Sequence, residues 1–301
     1  MIDTLRAAVT LGPSMRRAAA DIDALFEAIL PDPPDPRRRL YQAMRHAAVG
    51  GGKRIRPLLT IAASGLFEVP RESAIRAGLA VECVHVHSLI HDDLPCMDDD
   101  DLRRGKPTVH RAFDEATAVL AGDSLLALAF EILGDRAMGL TGDIRAELIF
   151  ELARAAGAGG MAGGQMLDLF PAESLDLDSI TRLQRLKTGA LIGWCVEAGA
   201  IMGQAPPEAR TSLRGYAHCL GLAFQIADDL LDVGGDEARV GKRLRKDDDQ
   251  GKVTFVTMLG VERARRQARI LVDQATEHVQ ALGPNSDLLS AIARFAINRD
   301  H

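Results

Sequence analysis

Aromatic residues and cysteines are scarce in this sequence, and each shortage excludes a class of structure. Phenylalanine, tyrosine and tryptophan make up only 4% of the 301 residues, whereas hydrophobic residues make up 47%. Alanine, leucine, isoleucine and valine must therefore build the core, and this composition favours helices over strands. The cysteines form no CxxC pair and no zinc-type spacing with histidine, which indicates a reduced, cytoplasmic chain. The four are Cys83, Cys96, Cys195 and Cys219.

Excess positive charge, long apolar runs and targeting signals are also lacking. The formal net charge is −6, which argues against general nucleic-acid binding and against a polybasic membrane patch. No basic segment followed by an apolar run stands at the N-terminus, so we expect no signal peptide. No window of about 18 uncharged apolar residues occurs, so we expect no membrane span.

Apolar residues recur at helical spacing over most of the chain, and proline and glycine separate the helical segments. The predicted helices cover residues 14–30, 37–49, 54–67, 72–92, 114–134, 142–158, 178–203, 208–233, 261–282 and 285–298. Residues 157–164 are predicted to form a glycine-rich kink and residues 234–252 a charged loop. No segment alternates as a strand does. The sequence therefore predicts one all-α domain over residues 1–301, without strands.

Two clusters of aspartate interrupt apolar helical stretches. Carboxylates are rarely buried unless they are paired or bound to a cation, so the clusters suggest two walls of a cavity that holds divalent metal. Oxygen-only ligands favour Mg²⁺, which binds through a few carboxylates, waters and substrate phosphates. The sequence predicts a Mg²⁺–diphosphate site. Its acidic residues are Asp92, Asp93 and Asp98 in the first cluster, and Asp228, Asp229 and Asp232 in the second.

The local geometry of the first cluster depends on a proline. On an unbroken helix, Cys96 and not Asp98 would lie one turn after Asp92. Pro95 lacks an N–H group and should loosen the helix, which can bring Asp98 round to share a metal with Asp92. A solvated acidic loop remains an equal alternative for this cluster taken alone.

A solvated helix face is a less suitable interpretation of the second cluster. Asp228 and Asp232 stand four residues apart, on one face of a helix, with Gln225 one turn earlier. Phe224 and other apolar residues surround them. This pattern favours metal binding.

Basic residues complement the acids, since arginine forks match phosphate oxygens and lysine supplies a point charge. One basic run, Lys53 to Arg56, follows three glycines, and another, Arg103 to Lys106, follows the first acidic cluster. Either run taken singly could be surface charge. Lys187 lies in an apolar helical stretch, where a charged side chain is unexpected unless it has a specific role. Lys242 and Lys252 flank an acidic loop and could be surface residues.

Several motifs resemble those of the trans-isoprenyl diphosphate synthases, most nearly the bacterial farnesyl and geranylgeranyl type. They occur in the family's order and cover the chain from about residue 50 to 255. The resemblance implies an all-α helical bundle around a deep central cavity, the isoprenoid synthase fold, in a homodimer. The motifs are HDDLPCMDDDDLRRGKPTVH (91–110), GGKRIRP (51–57), GGQMLD (163–168), KTG (187–189), FQIADDLLD (224–232) and GK (241–242 and 251–252).

The resemblance also implies a reaction: isopentenyl diphosphate condenses head-to-tail with an allylic diphosphate, and the departing pyrophosphate removes the proton. It implies Mg²⁺, with Mn²⁺ as a substitute, held by Asp92, Asp98 and Asp228, with Asp93, Asp229 and Asp232 in support. The implied partners of the allylic diphosphate are Arg103, Lys187, Lys242 and Lys252. Those of isopentenyl diphosphate are Gly52, Lys53, Arg56, His85 and Arg104. Thr188 and Gln225 (beside Phe224) place oxygen dipoles near the carbocation, with Gln165 and Asp168 behind them.

Product length depends, in this family, on the residues five and four before the first aspartate. These are His87 and Ser88. Bacterial farnesyl synthases commonly carry tyrosine at the first of these positions, and histidine is a shorter ring that could cap a C15 chain less tightly. We expect farnesyl diphosphate, with the C20 product as the near alternative.

Other classes of protein explain the motifs less well. A class I terpene cyclase uses no isopentenyl diphosphate, so it would not need the GGKRIRP run, and its second metal motif would contain Asn, Ser and Glu. A non-catalytic partner subunit would be expected to have lost acids from one cluster. A helical scaffold protein would leave both clusters unexplained.

Overall fold

The computed structural model describes residues 2–171, 176–234 and 253–298. Helices make up most of these segments, and a π-helical segment, Arg185–Gly189, joins two of them. The helices are α1 (Ile2–Ile29), α2 (Arg38–Ala48), α3 (Ile55–Gly65), α4 (Arg71–Asp92), α5 (Val109–Ala112), α6 (Glu115–Gly134), α7 (Gly142–Ala156), α8 (Met161–Leu169), α9 (Leu177–Gln184), α10 (Ala190–Met202), α11 (Pro207–Gly234), α12 (Phe255–Leu259), α13 (Val261–Gln280) and α14 (Asp287–Ile297).

All ten predicted helices are present, but four details differ. Helix α1 begins at Ile2 and continues through Pro13, twelve residues before the predicted start. The predicted helix 178–203 is interrupted by the π-helical segment. The predicted kink at 157–164 ends at Gly160, because α8 already begins at Met161. Short helices α5 and α12 were not predicted, since four or five residues carry too little periodicity.

The prediction of no strands was wrong at one place. Strand β1 (Leu102–Arg103) pairs antiparallel with β2 (Lys106–Pro107). The two residues of the turn, Arg104 and Gly105, both have positive φ, at 54° and 75°. That conformation is typical of the tight turns that join hairpin strands. Strands of two residues show no alternation, so the sequence pattern could not reveal them.

The helices pack in a chain of neighbours around one buried apolar cluster. Helix α4 packs on α3 and α6, α3 packs on α10, α10 on α11, and α11 on α13. Small residues permit the closest approaches: a Cβ placed on Gly199 of α10 would lie 2.6 Å from the backbone carbon of Ala63 in α3. The alanine-rich composition is therefore used to bring helix axes together.

Helix α6 is long and apolar enough to cross a membrane by length and composition alone, the one such helix in the part of the chain described here. The core helices of folded domains meet the same two criteria. One face of α6, which includes Ala121, Leu125 and Ala129, is fully buried. That face packs on α4, as a core helix does.

Candidate active site

The chain folds back over the end of α4 and so gathers the first acidic cluster. Helix α4 ends at Asp92, three residues before Pro95. The backbone N–H of Asp98 then donates to the carbonyl of Asp92 at 2.8 Å, and that of Asp100 donates to the carbonyl of Asp93 at 3.3 Å. These bonds satisfy carbonyls that the helix end would otherwise leave open. The expected return of Asp98 toward Asp92 is confirmed at the level of the backbone.

Asp92 lies in a site that disfavours its own negative charge. Burial raises the pKa of Asp92 to about 6, Lys187 opposes that rise, and Asp98 adds to it. The charge of Lys187 acts on Asp92 although the two residues lie on different helical segments. The end of α4 and the π-helical segment therefore face one polar space.

Arg103 is held by the second aspartate of the cluster. Its Nε donates to Oδ1 of Asp93 at 3.0 Å, and its Nη2 donates to the same carboxylate. Asp93 is 3% exposed. These bonds use Nε and Nη2, and Nη1 keeps two N–H donors that can bind a phosphate oxygen. Asp93 thus orients the arginine that was predicted to meet the allylic diphosphate.

The hairpin directs Arg104 onto the glycine run before α3. A Cβ placed on Gly52 would lie 2.6 Å from the guanidinium carbon of Arg104, and Gly52 has a φ of 82°. Glycine alone fits this backbone and this contact without strain. The structure therefore brings together two residues that were both predicted to hold isopentenyl diphosphate.

His85 lies among arginines from two parts of the chain, the start of α3 and the hairpin. Burial lowers its pKa well below the ordinary value, and the charges of Arg56, Arg104, Arg103 and Arg54 lower it further. His85 is therefore neutral at pH 7. Four guanidinium groups close enough to act on one imidazole form a strongly positive region, which suits a diphosphate.

Arg54 is the residue of this region that the sequence did not single out. It is 2% exposed. Its Nη1 donates to Oε1 of Glu82 at 2.7 Å and its Nη2 donates to Oδ1 of Asp23 at 2.6 Å. A third bond joins it to the carbonyl of Ala48. A signal was present in the sequence, because Glu82 is a lone acid in an apolar helical stretch and needs a buried partner.

The π-helical segment carries Lys187 into the polar space. The Nζ of Lys187 donates to Oδ2 of Asp168, on α8, at 2.6 Å. A Cβ placed on Gly164 would overlap the backbone nitrogen of Lys187, so α8 can approach this segment only because residue 164 is glycine. Gln165, beside it, is 8% exposed, and neither polar atom of its amide has a hydrogen-bond partner within the described structure.

A row of hydrogen bonds leads from the π-helical segment to the second acidic cluster. The hydroxyl of Thr188 donates to Oε1 of Gln225 at 3.3 Å. The amide nitrogen of Gln225 then donates to Oδ1 of Asp229 at 2.9 Å, and Oδ2 of Asp229 accepts from the backbone N–H of Phe255 at 2.9 Å. Both oxygens of Asp229 therefore accept hydrogen bonds: Oδ1 from a residue of the same helix and Oδ2 from the start of α12.

The other predicted residues of the second cluster lie on the continuous helix α11. Asp228 is half-buried and Asp232 is 9% exposed. Because the helix is unbroken here, these two carboxylates share a face, as predicted. Phe224 is half-buried on the same helix. Lys242 and Lys252 lie outside the described residues.

Three predicted residues face other groups. The Nζ of Lys53 lies 5.5 Å from the centre of the Phe295 ring on α14. The Oγ of Ser88 donates to the carbonyl of His85 at 2.8 Å. His87 packs its ring against that of His91, with 4.5 Å between the ring centres. Burial lowers the pKa of His87 to about 4, so its imidazole is neutral.

The donor set of the two clusters fits Mg²⁺. All the side chains concerned offer carboxylate oxygens, the ligands that this hard cation prefers. Burial is the largest cause of the raised pKa of Asp92, and Lys187 and Arg103 oppose the rise without cancelling it, so further positive charge would favour the ionised carboxylate. A divalent cation would supply that charge. The residues that would hold it are Asp92 and Asp98 of the first cluster and Asp228 and Asp232 of the second.

Known proteins resemble most of the chain. A model of the polyprenyl synthetase family matches residues 37–286. The chain is 46% identical over 267 residues to a farnesyl diphosphate synthase of Escherichia coli (strain K12), a match that covers 87% of this chain and 89% of that protein.

Two solved structures share the fold. An FPP/GFPP synthase from Zymomonas mobilis is 55% identical with a TM-score of 0.88, covering 96% of this chain and 99% of that one. A geranyltransferase from Helicobacter pylori, complexed with magnesium and isoprenyl diphosphate, is 34% identical with a TM-score of 0.78, covering 95% of this chain and 97% of that one. The predicted all-α isoprenoid synthase fold is thereby confirmed, and this chain belongs to the polyprenyl synthetase family.

Proposed function

We propose that this protein is a prenyltransferase that condenses isopentenyl diphosphate head-to-tail with dimethylallyl or geranyl diphosphate. The products are farnesyl diphosphate and pyrophosphate. One observation carries the proposal. The carboxyl group of Asp92, at the end of α4, lies close enough to Asp98, Arg103 and Lys187 of the π-helical segment for all three charges to act on it. Such an arrangement is suited to a diphosphate that leaves as an anion. The E. coli relative, a farnesyl diphosphate synthase, supports the same reaction.

The chemical difficulty is the cleavage of the allylic C–O bond, which leaves a carbocation and a highly charged diphosphate. When bound, Mg²⁺ neutralises charge on the leaving oxygens. Arg103 holds the same diphosphate in a direction set by Asp93, and Lys187 reaches it from the π-helical segment. Because these cations are already oriented by hydrogen bonds, they need little reorganisation when the charge develops.

The carbocation needs electron density without a nucleophile that would trap it. The hydroxyl oxygen of Thr188 and the amide oxygen of Gln225 lie 3.3 Å apart at the wall of the polar space, and both are neutral dipoles. The hydrogen bond from Gln225 to Asp229 fixes the direction of the amide. The alkene of isopentenyl diphosphate forms the new C–C bond and becomes a cation itself. The departing pyrophosphate then takes a proton from the carbon next to that cation, which restores a double bond, so the protein needs no general base of its own.

The second diphosphate belongs to isopentenyl diphosphate and occupies the arginine-rich region. Gly52 gives backbone access there, and Arg104 and Arg56 supply charge. Lys53 directly follows Gly52 in the chain. His85 is neutral and can donate one N–H to a phosphate oxygen. Placing the two diphosphates on separate sets of cations keeps the reacting carbons of the two substrates close together.

We further propose that the enzyme works in the cytoplasm as a homodimer of single-domain chains, with Mn²⁺ able to replace Mg²⁺. Four free thiols, one of them the exposed Cys96, suit a reducing compartment. The exposed apolar side chains of Leu120 on α6 and Phe150 on α7 support an interface between copies. A single buried apolar cluster from α1 to α14 supports one domain.

A product assay tests the proposed reaction. Purified protein with labelled isopentenyl diphosphate and geranyl diphosphate should yield C15 diphosphate with Mg²⁺, and no product with excess EDTA. Mass analysis of the products should cover C20 and C25 as well, because the Zymomonas relative is called an FPP/GFPP synthase. Release of a cyclic hydrocarbon from farnesyl diphosphate alone would favour a terpene cyclase instead. Full turnover in EDTA would contradict the metal-dependent mechanism.

His87 is expected to limit the product to C15. Its ring packs against that of His91, with 4.5 Å between the ring centres, and a close-packed wall resists deformation. In His87→Ala the space gained should accept a further C5 unit, since each buried CH₂ contributes about 0.8 kcal/mol. Products should shift toward C20 or longer, whereas His87→Tyr should sharpen them at C15. Gas chromatography of the dephosphorylated products measures the shift.

The outcome for His87 is interpretable only if both variants fold. Circular dichroism and thermal unfolding provide that control. An unchanged length distribution in both folded variants would show that His87 packs between helices without bounding the growing chain.

A further inference from the structure

Two histidines near the end of α4 face an aspartate on α6. His87 and His91 stand one helical turn apart, and Asp123 lies opposite them. One ligand atom from each of the three side chains lies within 4.8 Å of the other two. The Nε2 of His91 is 3.8 Å from Oδ1 of Asp123. The prenyl transfer mechanism uses neither His91 nor Asp123.

A glycine makes this approach possible. A Cβ placed on Gly122 would overlap the imidazole of His91, so the ring lies against α6 here because residue 122 is glycine. The Nε2 of His91 also makes a 3.1 Å hydrogen bond with the carbonyl of Val119, which a metal bound through this nitrogen would replace. Three oxygen and nitrogen donors from two helices thus converge beside one backbone oxygen.

The chemistry of these donors differs from that of the acidic clusters. Two imidazoles and one carboxylate suit Zn²⁺, Co²⁺ and similar transition-metal ions, whereas Mg²⁺ prefers oxygen ligands alone. In a tetrahedral Zn²⁺ site with metal–ligand bonds of about 2.0–2.1 Å, ligand atoms are about 3.4 Å apart. The observed separation of 3.8 Å between His91 and Asp123 is close to this value. Small side-chain rotations would complete the geometry.

The site also has an entry path and an available donor. The side chains of His91 and Asp123 are 25% and 62% exposed, so an ion can reach them from solvent. The Nδ1 of His87 is buried without a hydrogen-bond partner in the described structure, so binding through this nitrogen would break no hydrogen bond.

We propose that His87, His91 and Asp123 form a second metal site, which binds Zn²⁺ or a similar transition-metal ion independently of Mg²⁺. Water would fill the position that the three side chains leave open. A metal held here would join α4 to α6 at the turn that leads into Asp92. Because an ion that binds only the folded state stabilises it, the protein should unfold at a higher temperature when the site is filled.

Cobalt is the probe of choice, because Co²⁺ with nitrogen ligands and a low coordination number absorbs visible light far more strongly than hexa-aquo cobalt. The titration is carried out on the full chain in saturating Mg²⁺, which keeps the carboxylate clusters occupied. We expect one Co²⁺ per chain with a visible ligand-field band, and a rise in the midpoint of thermal unfolding. Zn²⁺ should displace the cobalt and abolish the band.

Matched variants assign the site. Asp123→Asn removes one exposed ligand and should weaken Co²⁺ binding at least about ten-fold, as should His91→Gln. Glu131→Gln removes a charge from an exposed position on the same helix and should leave binding unchanged. Absence of the band in the wild type, or equal binding by Asp123→Asn and the wild type, would overturn the proposal. Because the side chain of Asp123 is exposed, this variant should fold and remains decisive if His91→Gln does not.

Discussion

Replacing Asp92 or Asp228 with alanine should reduce kcat by two to three orders of magnitude or more while the protein stays folded. Loss of one preorganised electrostatic group typically costs roughly 10²–10³-fold in kcat, and each aspartate is also expected to hold the metal. Asp92→Asn should be as inactive as Asp92→Ala, since the amide keeps the shape and loses the charge. Steady-state kinetics in saturating Mg²⁺ and both substrates measures the effect.

Stability should separate this loss of activity from a loss of structure. Burial raises the pKa of Asp92, so its ionised form is disfavoured by folding when no metal is bound. Asp92→Asn should therefore unfold, in EDTA, at a temperature no lower than that of the wild type.

A neighbouring aspartate supplies the control for both variants. Asp99 belongs to the same acidic run, and its side chain is 59% exposed. Asp99→Asn should keep near-wild-type kcat. Equal losses in Asp92→Asn and Asp99→Asn would show that the whole run acts only through its net charge, and near-wild-type activity in Asp92→Ala would contradict the metal-binding role.

Replacing Arg54 with methionine should lower the free energy of unfolding by about 3–5 kcal/mol, the usual result of removing one partner from a buried ion pair. The side chains of Arg54 and Glu82 are 1% and 2% exposed, so the variant leaves a buried carboxylate without its cation. Asp23 is 32% exposed and can turn to water. Urea denaturation, followed by circular dichroism, measures the change.

Two further variants test whether burial is the cause. Arg71 pairs with Asp21 of α1 at 2.6 Å, but the two side chains are 37% and 32% exposed. Arg71→Met should therefore cost only about 0–1 kcal/mol. Adding Glu82→Leu to Arg54→Met should restore part of the stability, because it removes the lone buried charge. Equal effects of the Arg54 and Arg71 variants would refute the distinction between the buried and the exposed pair.

Arg54 shows where inference from the sequence stops. It stands between Lys53 and Arg56, both predicted to bind a diphosphate, and nothing local distinguishes the three. The backbone of Arg54 adopts a φ of 51°, which turns its side chain toward Glu82, 28 residues away in the chain. Which of these three basic residues forms a buried ion pair therefore depends on where α3 packs against α4.

The sequence by itself determined what depends on neighbours in the chain. A repeat of 3.6 residues specifies helices, so all ten predicted helices are present. Four-residue spacing specifies a shared face, so Asp228 and Asp232 are placed together. The missing N–H of Pro95 ends α4 and returns Asp98 toward Asp92.

The tertiary structure decided what depends on the approach of separate segments. The pairing of Lys187 with Asp168 requires α8 to pass at Gly164, and the meeting of His91 with Asp123 requires Gly122. Helical periodicity gives the face of each helix but not the partner, the distance or the register across the contact. Those are set by the packing of small residues between helices, because only the folded chain brings these positions together.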